Sequence, residues 1–169
     1  GVNNAGTCSL TGDNIYSYSN KNNGLYNTGT MHITGKVKSG FSKFTDNTDY
    51  ALAANTSSAA RNAGGTLNIS ARVYFYGGDK SALTNSGTCT ASEGWYVSKG
   101  ATDCVYNNNS LTMSDALVLG AAANGIRNEA NDNTKVNVTA TLTDTEVRGQ
   151  YTVGDTAWKA DNATHNFTT

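Results

Sequence analysis

Three thiols, two imidazoles, thirteen carboxylates and the pair Trp95-Tyr96 are the side chains of this 169-residue chain best suited to chemistry or recognition. The thiols are Cys8, Cys89 and Cys104. Three is odd, so at most one intrachain bridge can form. Cys89 and Cys104 bracket the short segment TASEGWYVSKGATD. A bridge there closes a hairpin or loop and contributes roughly 3 kcal/mol by the chain-entropy argument. The sequence therefore predicts a Cys89–Cys104 disulfide with Cys8 outside it. The alternative is three reduced, buried thiols. No CxxC or CxxH spacing occurs, so a zinc site has no support. Trp95 and Tyr96 lie inside the bracketed segment, and an aromatic on a bridged loop is a stacking platform for a sugar or a partner surface. Both are candidate binding residues. The competing role is Trp95 as a core plug beside the disulfide.

The remaining reactive groups are less suggestive. His32 falls on the polar face of an alternating run, and His165 is the other imidazole. No GxSxG elbow presents a nucleophile, and the carboxylates lie mostly in turn-like stretches rather than as a facing pair. Asp46 with Asp49, or Glu129 with Asp132, place oxygens at calcium-loop spacing, but the EF-hand register is missing and solvated turns explain them. No metal, cofactor or catalytic residue is expected. The six Asn-x-Ser/Thr sites are about what the Asn, Ser and Thr content yields by chance. Thr139, Thr141, Thr143 and Thr145 form a hydroxyl ladder of the kind ice-binding surfaces use, although one strand is not an array.

The elements that must carry these groups are strands. Residues 30–37, TMHITGKV, alternate, with Met31, Ile33 and Val37 on one face. Residues 66–76 place Leu67, Ile69, Ala71, Val73 and Phe75 together, and residues 134–143 do the same for Val136, Val138, Ala140 and Leu142. Shorter strands are expected at 94–98, 104–106, 146–153 and 164–168. Asp144-Thr145 fits a tight hairpin between two of these runs. Residues 111–126 read as strands in preference to a helix capped by Ser114, and 50–65 as a loop with a helical turn. Residues 1–28 read as a polar arm or loops, and 29–169 as one β-rich domain. No strict repeat is visible.

Composition bounds the class. The chain has 18 Gly and no Pro, a formal net charge of −1, 37 % hydrophobic and 15 % charged residues. There is no basic excess for nucleic acid and no apolar run long enough to span a membrane. Abundant Asn, Gly, Ser and Thr suit turns and the outer faces of strands. The expected fold is all-β: a small immunoglobulin-like or jelly-roll-like β-sandwich, with a short helix and an extended N-terminal arm.

The run from Gly29 to Val37, GTMHITGKV, resembles the start of chaperone–usher fimbrial subunits of the type 1 class. The resemblance implies an incomplete immunoglobulin-like fold completed by a neighbour's donor strand. The longer phrase NTGTMHITGKV is also similar to β-segments of phage tail fibres. Residues 30–37, with Met31, Ile33 and Val37, are then the candidate assembly strand. The sequence reading is an extracellular, non-enzymatic subunit of a bacterial surface filament. Its expected partners are copies of itself or related subunits and a host-surface glycan or protein. A phage-fibre or lectin-like receptor-binding domain is the alternative.

Overall fold

Alternation of apolar and polar residues says that a strand buries one face, but not whether its neighbours run parallel. The computed structural model describes residues 1–13, 15–17, 22–39, 57–78, 80–98, 103–120, 125–128, 138–148 and 163–168. Every strand pairing in it is parallel. The chain winds as a β-solenoid, with no helix among the described residues. The expected immunoglobulin-like or jelly-roll sandwich is thus incorrect. A sandwich joins strands by antiparallel hairpins. Here each strand pairs with the equivalent strand one turn later.

The solenoid has three sides. The first is a six-stranded sheet of β1 (Val2–Asn4), β4 (Leu25–Asn27), β7 (Ala60–Asn62), β10 (Leu83–Asn85), β12 (Val105–Asn107) and β14 (Ile126–Asn128). The second stacks β2 (Thr7–Leu10), β5 (Thr30–Ile33), β8 (Thr66–Ile69), the first halves of β11 (Thr88–Ser98) and β13 (Ser110–Gly120), then β15 (Val138–Thr143) and β17 (Ala163–Thr168). The third stacks β3 (Ile15–Ser17), β6 (Val37–Ser39), β9 (Val73–Gly78), the second halves of β11 and β13, and β16 (Glu146–Arg148). The stretch read as an arm thus carries β1 to β4, with Leu25 buried.

One residue type holds the first corner. Each strand of the first side ends in a buried asparagine: Asn4, Asn27, Asn62, Asn85, Asn107 and Asn128. The amide of each donates to the carbonyl oxygen of the next, at 2.8, 2.9, 2.8, 2.7 and 2.6 Å. The same amides also donate to backbone carbonyls around the bend, as Asn85 does to Gly87 and Ser110. At the bend the glycine carbonyls also accept from the next turn's backbone, as Gly87 O does from Ser110 N at 3.2 Å, so the amides add a second bond to each. Beside this ladder Gly29, Gly65 and Gly87 stack so closely that a Cβ on any one would strike the backbone of the turn before it.

The interior is a set of apolar columns. On the second side Cys8, Met31, Leu67, Cys89, Leu111 and Ala140 align, followed by Leu10, Ile33, Ile69, Ala91, Met113 and Leu142. On the third side Phe75, Tyr96 and Val118 align, with Phe75 and Tyr96 edge to face at 5.5 Å. Buried Ser39 and Ser98 donate to the carbonyls of Ala59 and Lys80 at the last corner.

Several local expectations change accordingly. Residues 66–76 are two strands bent at Ser70–Arg72 rather than one. Asp144 is a corner residue with φ 46, aligned with Glu93 (φ 55) and Asp115 (φ 50), and not a hairpin turn. The segments 94–98 and 104–106 belong to different sides, so they are not limbs of one hairpin. Within 111–126, read as strands with Leu111 and Met113 on one and Leu117 and Leu119 on another, all four lie on one long bent strand, Ser110–Gly120.

Candidate functional site

A three-sided solenoid puts three outward surfaces on view, and here each has its own chemistry. The second side is the most uniform. Its first outward column is Thr7, Thr30, Thr66, Thr88, Ser110 and Thr139. The middle column is Ser9, His32, Asn68, Thr90, Thr112 and Thr141. The last, at the bend, is Thr11, Thr34, Ser70, Ser92, Ser114 and Thr143. Every position except His32 and Asn68 carries a hydroxyl, and none is Asp, Glu, Lys or Arg. All are exposed or half-buried. Columns repeat about every 4.8 Å along the axis and roughly 6.6 Å across it, the spacing of stacked strands and of alternate residues. Thr139, Thr141 and Thr143 are therefore one row of a two-dimensional array. Thr145 leaves it, because Asp144 turns the chain onto the next side.

The first side presents one column: Asn3, Tyr26, Arg61, Thr84, Tyr106 and Arg127. Arg61 lies over the Tyr26 ring at 5.9 Å and Arg127 over Tyr106 at 5.8 Å. Arg127 also meets Asp103 at 3.5 Å.

The third side carries aromatic and apolar residues together with charged ones. Tyr16, Lys38, Tyr74, Trp95, Leu117 and Glu146 share one register column. Trp95 is 50 % exposed and Tyr16 43 %. Tyr74 and Trp95 meet edge-on at 5.4 Å. The two aromatic candidates thus separate by strand alternation. Trp95 faces solvent, while Tyr96 is fully buried, with a hydroxyl that has no hydrogen-bond partner. Tyr96 packs the core and is not placed to touch a ligand.

No family model, curated protein or solved structure matches this chain.

The remaining sequence candidates fall inside the molecule. Met31, Ile33 and Val37 are fully buried on strands paired along both edges within the chain. Residues 30–37 are therefore not one assembly strand: Thr30–Ile33 form β5 and Val37 opens β6, both within the solenoid's own core and not offered to a neighbour. The expected Cys89–Cys104 disulfide is also absent: both residues are free, buried thiols. Cys89 fills an apolar core column and Cys104 lies just before β12, so each serves as a small apolar side chain. Among the described residues no group of His, Cys, Asp and Glu is arranged to hold a metal ion. Asp46, Asp49, Glu129 and Asp132 lie outside the described residues.

Burial pushes both core thiols from the ordinary 9.0 up to about 12. Unfolding frees them to ionise near pH 9, so above that pH the unfolded chain loses protons that the folded one keeps. The stability this contributes is complete below pH 9 and is lost as pH rises towards 12. In the native protein iodoacetamide is expected to label half-buried Cys8 at neutral pH and to leave Cys89 and Cys104 unmodified until denaturant is added. A linked Cys89–Cys104 peptide in an unreduced digest would contradict this.

Proposed function

We propose that the chain is a non-enzymatic, extracellular structural and adhesive module that attaches through the hydroxyl array of its second side. The single supporting observation is that array: Ser and Thr at nearly every outward position and no charge. Each hydroxyl both donates and accepts, so the surface matches another hydroxyl-bearing surface without fixing the sense of any one bond. Thr is stiff at χ1, and every strand beneath it except the terminal β2 is hydrogen-bonded on both edges, so docking orders little that is not already ordered. The absence of charge avoids the cost of stripping water from ions. The fitting partner is a repetitive, hydroxylated surface such as a cell-wall or host polysaccharide.

A second reading draws on the same array's regularity in two directions, which resembles the ordered oxygens of an ice plane. One pair of substitutions tests both. Thr90→Lys with Thr112→Glu puts opposite charges on adjacent exposed positions, where they can pair without disturbing the core. Labelled wild-type protein is expected to bind particles of insoluble polysaccharide, and the double variant to lose most of that binding with its circular dichroism and melting unchanged. Equal attachment of the two proteins would defeat the adhesive reading. Inhibition of ice recrystallisation by the wild type alone, without polysaccharide binding, would select the second.

A further inference from the structure

The corner between the second and third sides holds a groove of about 380 Å³, lined in part by Asp13, Thr34, Gly35, Lys36, Arg72 and Glu93. Two carboxylates face two cations, so the groove carries no net charge. Arg72 Nε and Glu93 Oε2 are 3.5 Å apart with both side chains more than half exposed. An exposed pair of this kind contributes little to stability and rearranges readily. Tyr74 and Trp95 stand two residues beyond Arg72 and Glu93 in sequence, paired in register on β9 and β11. The edge of Tyr74 against Trp95 fixes the indole, leaving half of Trp95 open beside the groove.

We infer that this corner is a saccharide subsite that takes a neutral oligosaccharide, one sugar ring lying on Trp95 and its hydroxyls reaching Arg72, Glu93 and Lys36. A pyranose has an apolar C–H face and a rim of hydroxyls, which are the two halves of this surface. Carboxylates accept from that rim, while guanidinium and ammonium groups donate to it. The balance of charge favours a neutral ring over a sulfated or uronic one, which would meet Asp13 and Glu93. Tyr74 and Trp95 are neighbours in a column along the axis, with Tyr16 in the same column beyond the Lys38 position, so the sugar chain runs parallel to it. This site deepens the adhesive reading and rests on it: the flat side gives area, and the corner gives selectivity.

Isothermal titration with a panel of soluble neutral oligosaccharides of glucose, mannose, galactose and N-acetylglucosamine tests it. At least one series is expected to bind saturably, more tightly as the chain lengthens. Trp95→Ala is expected to weaken that binding about tenfold, the upper end of what an aromatic contact supplies. Arg72→Ala should weaken it severalfold, and Thr90→Lys with Thr112→Glu should leave it unchanged. If Trp95→Ala melts well below the wild type, Arg72→Ala decides, since its side chain is exposed. No binding by any neutral sugar, a preference for anionic ones, or binding indifferent to both variants overturns the subsite. If no soluble sugar binds but the charged double variant still loses attachment to solid polysaccharide, the subsite alone fails. If sugars bind at Trp95 while that variant attaches normally, the flat-side reading fails instead.

Discussion

Asn85→Leu is expected to be the most damaging single change in this molecule. Leucine keeps the branched shape, with bulkier methyl groups in place of the amide, and removes every polar contact. The Asn85 amide places its two hydrogens among three oxygens: Gly87 O at 2.9 Å, Asn107 Oδ1 at 2.7 Å and Ser110 O at 2.8 Å. Its own oxygen accepts from Asn62 Nδ2 at 2.8 Å. Asn62, Asn85 and Asn107 are fully buried, so the groups left behind have no water to turn to. A buried hydrogen bond contributes about 0.5–1.5 kcal/mol, and the substitution removes the bonds to Asn62, Gly87, Asn107 and Ser110 together. Urea denaturation should therefore give a loss of at least ~3 kcal/mol, a large part of the ~5–15 kcal/mol available to a domain. Asn3→Leu, on the exposed face of the same side, is the control and should change stability by no more than about 0.5 kcal/mol. Equal midpoints for the two variants would mean that the ladder does not hold the corner.

Gly65→Ala should rank second. A methyl group at Gly65 is driven into the carbonyl oxygen of Gly29 and lies 2.8 Å from Asn27 Nδ2, so the turn must move away from its neighbour. Overpacking of this kind costs about 1–3 kcal/mol, and a backbone obstacle belongs at the upper end. Gly6 stands at the matching position of the first turn, where a Cβ meets nothing within 4 Å. Gly6→Ala is therefore expected to melt like the wild type and Gly65→Ala well below it. Similar melting of the two would show that the stacked turns have room to spare.

The sequence made the strands visible and their assembly invisible. Met31 and Ile33, Leu67 and Ile69, and Ala140 and Leu142 are buried as alternation predicts, because period two is a property of a strand whatever its neighbours do. Parallel stacking leaves no such trace within a strand. Its trace is the recurrence of asparagine before a glycine and threonine: Asn4-Ala-Gly-Thr, Asn27-Thr-Gly-Thr, Asn85-Ser-Gly-Thr. That signal was available. It is obscured because the ladder asparagines stand 23, 35, 23, 22 and 21 residues apart. The turn at Asn62 also carries an extra glycine, and the one at Asn107 has Asn109 in glycine's place.

The site was legible in part for the same reason. Trp95 stands out in the sequence by its type and neighbourhood, and alternation alone separates its exposed side chain from the buried Tyr96. The hydroxyl ladder from Thr139 was seen as a single strand. Its meaning depends on five other strands brought into register by a fold the sequence did not announce. The positive φ at Glu93, Asp115 and Asp144 is hard to read from sequence, because Asp is enriched in the left-handed region but rarely occupies it, and Glu has no such preference. The cysteines misled because their spacing was read as chemistry, when in the fold they are packing.

The strands of successive turns are joined by hydrogen bonds that point along the solenoid axis, and the asparagine ladder points the same way. Tension applied along that axis loads the turns in series, so only the few bonds of the weakest turn must break at any moment. A pull across the axis must instead shear several strands together. The molecule is thus compliant lengthwise and stiff crosswise. Each freed turn, such as the 22 residues from Asn85 to Asn107, pays out roughly 75 Å of extended chain. A body held to a surface by its flank then yields by lengthening, turn by turn, and the work of a sudden tug is spent in peeling before the flank is torn away.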